Sequence, residues 1–160
     1  MKIAIVKLSS LGDIVHSMII LQFIKKHYPA SEIDWIVEKR FKSILENNPH
    51  INQILTVDFN KVKKQKSLKF LFKELTQVKK YGEYDLIIDT QGLLKSAIVI
   101  KLMKGIKKVG FDKNSIRERL ASYFYNQKVA IGYDKNSIER YVELISVALR
   151  IKITKDDLIN

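Results

Sequence analysis

Short apolar runs alternate with helical periodicity along the whole chain. Residues 3–6 form an uninterrupted apolar run that stops at Lys7, which predicts a first strand. Residues 13–28 carry Ile14, Met18, Leu21 and Phe23 or Ile24 at helical spacing and stop at Pro29, which predicts a helix. Strands follow at 33–37 and 54–57, separated by a short helix at 41–47 that Asn48 and Pro49 end. Further on, Leu68, Leu71, Phe72, Leu75 and Val78 keep i, i+3, i+4, i+7 spacing and predict an amphipathic helix. Residues 84–89 read as a fourth strand, with Leu86, Ile87 and Ile88 consecutive. A helix over 93–103 opens after Gly92, and a fifth strand covers 107–111. A helix at about 115–125, a sixth short strand at 128–131 and a last helix at 137–149 complete the pattern. The polar tail 154–157 reads as a terminus or the start of a connection.

Strands that are nearly all apolar, alternating with helices, predict an α/β fold: a Rossmann-like, mostly parallel sheet with helices on both faces. A length of 160 residues suits one domain with a real core. No internal repeat, low-complexity tract or Gly/Ser linker divides it.

In an open sheet of this kind, ligands bind outside the carboxyl ends of the strands. Two loops there carry chemistry. The first, after residues 3–6, holds Ser9, Ser10, Gly12 and Asp13. Asp13 or Ser10 serves either as an ordinary helix cap or as part of a site. In a site, the carboxylate acts as a general base, and Ser9, Ser10 and the Gly12 backbone hold a phosphate or sugar hydroxyl near it. The second loop, Asp89-Thr90-Gln91-Gly92, repeats the arrangement of strand, polar loop and helix, with Lys95 just beyond. Asp89 alone reads as a capping residue; two such loops on one sheet edge make a shared cleft. Neither G-x-G-x-x-G nor G-x-x-x-x-G-K-[ST] is present, so no dinucleotide fingerprint or P-loop is expected. A third polar cluster holds Arg117 and Arg119, either as a clamp for a carboxylate or phosphate or as a local ion-pair group with Glu118.

Charge changes the picture next. Lys and Arg total 29 against 17 acidic residues, a net charge of +12. Such a field attracts polyanions: nucleic acid, anionic headgroups or phosphorylated substrates. A lysine-rich proteome explains part of the excess. Its distribution is more telling, because residues 61–80 hold eight lysines. Lys61, Lys63, Lys64 and Lys66 read either as a solvated face or as a basic segment that grips an anionic substrate or membrane surface. Nucleic acid would call for aromatics and arginines interleaved on a platform, and the segment offers only Phe59, Phe70 and Phe72.

Other classes are not expected. No apolar run approaches the ~20 residues that span a bilayer. The amino-terminal segment, broken by Lys7 and Asp13, does not read as a signal peptide. The chain has no cysteine, which excludes disulfides and thiolate metal sites and fits a cytosolic location. His16, His27 and His50 lack ligand spacing, so no metal site is expected.

Four segments, in order, resemble the bacterial lipopolysaccharide heptosyltransferases of glycosyltransferase family 9. They are K-x-S-S-x-G-D from Lys7 to Asp13, I-D-W-I-V-E from Ile33 to Glu38, I-D-T-Q-G-L-L-K-S-A from Ile88 to Ala97, and R-E-R-L-A-S-Y-F-Y-N from Arg117 to Asn126. The resemblance is strongest to the member that adds the first heptose to Kdo. It implies a GT-B enzyme, with two Rossmann-like domains facing across a cleft. Residues 1–160 would be its amino-terminal, acceptor-binding half, and the donor half would lie outside them.

By motif match the resemblance implies Asp13 as the base that deprotonates the acceptor hydroxyl, with inversion by direct displacement and no metal. Ser10 and Gly12 would shape the loop near the sugar and diphosphate, and Lys61, Lys63 and Lys64 would grip the acidic acceptor. Ser9, Gln91, Gly92 and Lys95 fall in the matching loops, and Arg119 near an acceptor-side position. The family's histidine near the last helix is replaced here by the run from Asn136 to Arg140, so its role does not transfer. The implied partners are ADP-heptose, Kdo-lipid A and an anionic membrane surface, with no nucleic acid. The implied place is the cytoplasmic face of the inner membrane, peripherally bound. Two other readings stay open: a basic α/β module that binds nucleic acid or anionic lipid without catalysis, and a heptosyltransferase with a heptose acceptor.

Overall fold

A computed structural model describes residues 1–159. Its strands are β1 (Lys2–Val6), β2 (Glu32–Glu38), β3 (Gln53–Val57), β4 (Glu83–Asp89), β5 (Lys104–Phe111) and β6 (Gln127–Val129). They form one sheet in the order β3-β2-β1-β4-β5-β6, and every neighbouring pair is parallel. Ile3, Ala4, Ile5 and Val6 of β1 and Ile87 and Ile88 of β4 are fully buried. That is what a parallel sheet covered on both faces requires.

The helices are α1 (Leu11–Ser17), α2 (Ile19–His27), α3 (Lys42–Leu45), α4 (Phe59–Gln65), α5 (Leu68–Val78), α6 (Leu94–Leu102), α7 (Ser137–Leu149) and α8 (Lys155–Ile159). α7 packs with α1 and α2, whereas α6 packs with α5 and with a 3-10 turn at Arg119–Phe124.

Several elements differ from the sequence pattern. The helix expected over 13–28 starts earlier and is two helices. Ser17 Oγ donates to the Ile14 carbonyl at 2.8 Å, and Leu21 N–H bonds the Met18 carbonyl at 3.0 Å. This i→i+3 turn separates them. The helix expected over 115–125 is a bend followed by the 3-10 turn, because Ser115 is held elsewhere. Its Oγ donates to Asp112 Oδ1 at 2.6 Å and accepts from Ile131 N–H at 2.9 Å. The lysine run contains α4, which was not anticipated. Asp58 caps it by accepting from Lys61 N–H at 3.0 Å. On α5 Val78 is buried and Leu71 and Leu75 are half-buried, while Leu68 and Phe72 are 82% and 74% exposed. β5 begins at Lys104, paired to Glu83; β6 is displaced toward Gln127; and the segment 39–45 is a 3-10 turn leading into α3. The polar tail enters α8.

The strand order places a topological switch point between β1 and β4. Successive connections leave these two central strands in opposite directions, which opens a crevice at their carboxyl ends. Both polar loops singled out above emerge there.

Candidate active site

The first loop is stitched to the second by Gln91. Its Oε1 accepts from the Leu8 and Ser9 N–H groups, both at 3.1 Å. Gln91 is held in turn by Asp89, which is fully buried and accepts four hydrogen bonds. These come from Gln91 N–H (2.9 Å), Gly92 N–H (3.2 Å), Ser96 Oγ (2.8 Å) and the Tyr125 hydroxyl (2.6 Å). Burial pushes the Asp89 carboxyl up from the ordinary carboxylate range, against the pull of those donors. Asp89 is thus the organiser of the loop and faces no open space. Gly92 adopts a left-handed φ of 68°, and a Cβ there would sit 2.7 Å from Ile116. Glycine is therefore required by both backbone and space.

Asp13 lies in the first turn of α1, with Ser10 as its cap. Its Oδ2 accepts from Ser10 Oγ at 2.8 Å and Ser10 N–H at 3.3 Å, while Oδ1 accepts nothing among the described residues. Partial burial pushes the Asp13 carboxyl up. The Ser10 hydroxyl, the Lys7 charge, the Ser10 N–H and His16 outweigh it, and the group is held below its ordinary value. The helix-cap and site readings are therefore compatible: one oxygen caps and the other is free to accept a proton.

Asp13 faces a cleft of about 430 Å³. Four cations line it (Lys7, Arg117, Lys135 and Arg140) against this single carboxylate. Lys7, at the end of β1, is 3% exposed. Its Nζ donates to the Tyr141 hydroxyl at 2.9 Å. Burial pulls its pKa down to about 8, opposed by the charges of Asp13 and Asp89 and helped by Lys95. Arg140 stacks between Phe111 and Tyr133, 5.0 and 4.6 Å from their ring centres, and donates to the Ser115 carbonyl. A cationic cleft around one ionised carboxylate suits an anionic substrate with a proton to give up.

The expected site residues divide between two places. Asp13, Gln91 and Gly92 line the cleft. Lys95 donates to Ser9 Oγ at 3.1 Å, which brings these two together, though neither lines the cleft. Gly12 is exposed, with open space where a Cβ would be. Lys63 and Lys95 share a neighbouring chamber with Glu38. Lys61 stacks on Phe70, with 4.9 Å from Nζ to the ring centre, and Lys64 is exposed on α4. Arg119 is exposed and does not line the cleft, whereas Arg117 does. Lys7, Arg140, Tyr141 and Glu38 escaped the sequence reading. The signal for Lys7 was present, a lone charge closing a strand that is otherwise apolar. Among the described residues, no group of three or more His, Asp or Glu is placed to hold a metal ion.

A six-stranded parallel sheet with a polar crevice over its switch point defines a Rossmann-type ligand-binding domain. The chain belongs to glycosyltransferase family 9 (heptosyltransferase), whose family model matches residues 71–158. It is 41% identical over 158 residues to lipopolysaccharide heptosyltransferase 1 of Campylobacter coli, covering 99% of this chain and 44% of that one. It is 35% identical over 156 residues to lipopolysaccharide heptosyltransferase 1 of Escherichia coli K12, covering 93% of this chain and 48% of that one. Its fold matches the structure of E. coli heptosyltransferase WaaC with ADP-2-deoxy-2-fluoro heptose. The TM-score is 0.89 at 32% identity, over 97% of this chain and 50% of that one. The chain thus spans about half the length of the relatives it matches.

Proposed function

We propose that this chain is the acceptor-binding half of an inverting heptosyltransferase. The enzyme moves L-glycero-D-manno-heptose from ADP-heptose to a Kdo residue of Kdo-lipid A. A second Rossmann-like half, outside residues 1–160, supplies the donor site. The observation that carries this reading is Asp13, the one carboxylate lining a cationic cleft at the switch point. Identity to lipopolysaccharide heptosyltransferase 1 along nearly the whole chain supports the choice of substrates.

In the proposed step, an acceptor hydroxyl attacks the anomeric carbon of the heptose as the bond to the diphosphate breaks. Asp13 takes the hydroxyl proton and ADP leaves from the opposite face, which inverts the configuration. Asp13 is ready because the Ser10 hydroxyl and Lys7 keep it ionised. Lys7, Arg117 and Arg140 set a positive potential for the anionic groups of either substrate. No step is assigned to a metal.

An anionic membrane surface is the proposed docking partner. Leu68 and Phe72 project from α5 among the exposed Lys69 and Lys73, a pairing of apolar anchors with cations that suits an interface. Among the described residues no helix is long and apolar enough to cross a membrane. A peripheral enzyme on the cytoplasmic face is the corresponding location. Membership of family 9 and the built cleft weigh against a non-catalytic basic module.

The test is product analysis. Full-length protein incubated with ADP-heptose and Kdo-lipid A should add one heptose mass to the acceptor, at a Kdo hydroxyl. Transfer only to an acceptor that already bears heptose would instead favour the heptose-acceptor reading, and binding without transfer the module.

A further inference from the structure

A second group of apolar side chains stands in water at the other end of the layer that holds α5. Leu120 and Tyr123, on the 3-10 turn at Arg119–Phe124, are 65% and 68% exposed, and Ile106 of β5 is 80% exposed. Asn126, just past the turn, donates to the Ile106 carbonyl at 3.1 Å. Side chains alternate between faces along a strand. Lys108 Nζ donates to the Lys101 carbonyl of α6 at 3.1 Å, and a Cβ at Gly110 would collide with the Tyr125 ring. Ile106 therefore faces the same side of the sheet as α6 and the turn. Neighbouring apolar groups left exposed and rimmed by charge mark a contact surface.

The rim defines what the surface contacts. Lys128 Nζ lies 5.3 Å from the Tyr123 ring centre, and Lys101 Nζ lies 5.1 Å from that of Phe124. Both lysines are exposed. The bordering acids are engaged: Glu83 pairs with Lys104 at 3.4 Å, and Glu118 accepts from Leu94 N–H. Tyrosine is apolar in body and polar at its tip, which suits the boundary between headgroups and acyl chains. Apolar groups ringed by lysines match a bilayer with anionic headgroups: the chains take the first and the phosphates the second.

We infer that Leu120, Tyr123 and Ile106 form a second membrane anchor, held on anionic headgroups by Lys101 and Lys128. The inference rests on the membrane docking proposed at α5 and extends it. α6 packs against both α5 and the turn, so the two anchors belong to one layer on one face of the sheet. A single anchor leaves a domain free to swivel on the surface. Two anchors fix how the crevice is presented to a lipid-borne acceptor.

The experiment is co-sedimentation of the full-length protein with phosphatidylglycerol and with phosphatidylcholine vesicles. It compares the native protein with Leu120→Ser/Tyr123→Ser and Leu68→Ser/Phe72→Ser. The native protein should prefer phosphatidylglycerol by about tenfold or more. The turn variant should lose about tenfold or more of that partitioning, with its melting temperature unchanged because both side chains are largely exposed. Native partitioning in the turn variant, or a native protein that ignores phosphatidylglycerol, would overturn the anchor. Loss confined to the turn variant keeps this anchor and removes the α5 contact; loss confined to the α5 variant does the reverse. Heptose transfer to a Kdo acceptor without acyl chains, in the absence of vesicles, should be equal in the native protein and the turn variant. A loss there would assign Leu120 and Tyr123 to a contact inside the enzyme and overturn the membrane reading of the patch.

Discussion

Lys7 at the end of β1 and Tyr141 on α7 meet in the cleft, the ammonium donating to the phenolic oxygen at 2.9 Å and lying 4.9 Å from the ring centre. One contact therefore ties the central strand to the last helix and anchors a buried charge beside Asp13. Tyr141→Phe keeps the ring and removes the acceptor. It should destabilise the domain by about 1–3 kcal/mol, the cost of leaving a buried charged donor short of a partner. Urea unfolding measures this. A midpoint equal to that of the native protein would mean that the hydrogen bond contributes nothing.

The same lysine makes a prediction about pH. Its folded pKa is about 8, against an ordinary value of 10.5. Between these values the unfolded chain binds more protons than the folded one, so this group makes stability rise with pH across that window. Below about pH 8 lysine is charged in both states and its contribution is constant. The unfolding free energy of the native protein, minus that of Lys7→Met, should therefore be flat below pH 8 and climb above it. A difference that falls over that range would contradict the assignment.

Gln91 is a tie between loops, and its side-chain oxygen is the working atom. Gln91→Ala frees the Leu8 and Ser9 N–H groups and should cost about 1–3 kcal/mol for two hydrogen bonds. Amide exchange at Leu8 and Ser9 should quicken, and Gln91→Glu, which keeps an acceptor, should restore protection. Equal exchange in the Ala variant would show that the two loops hold themselves.

Leu68 and Phe72 test the membrane proposal. Replacing both with Ser in the full-length protein leaves the core untouched, because both side chains are largely exposed. Burial of each is worth roughly 1.5–3 kcal/mol at an interface, so partitioning onto anionic vesicles should drop by about tenfold or more. Unaltered partitioning would move the contact elsewhere on the surface.

Much of this architecture is legible in the residues. The runs ending at Val6 and Asp89 mark the two central strands, because strands buried on both faces must be apolar throughout. Ser137–Leu149 matches its helix fully, since Asn136 and Glu139 form a capping box ahead of a clean apolar stripe. α4 was hidden because its lysines swamp a stripe of only Phe59 and Val62. The bend after Ser115 depends on long-range bonds that local periodicity does not encode. Asp13 was visible as a polar residue after a strand. Lys7 lies only a few residues before it, whereas Arg117, Lys135 and Arg140 come from sequence-distant segments, and only the fold brings them to the same crevice. Glu38 reads as an ordinary strand end until its burial is known.

The central claim is that Asp13 accepts the proton of the attacking hydroxyl. Asp13→Asn preserves size and one oxygen to cap Ser10, but it cannot act as a base. In the full-length protein, measured with ADP-heptose and Kdo-lipid A, this variant should lose about 100-fold or more in kcat while its affinity for ADP-heptose is unchanged. Turnover near the native rate, with the fold intact, would contradict the account.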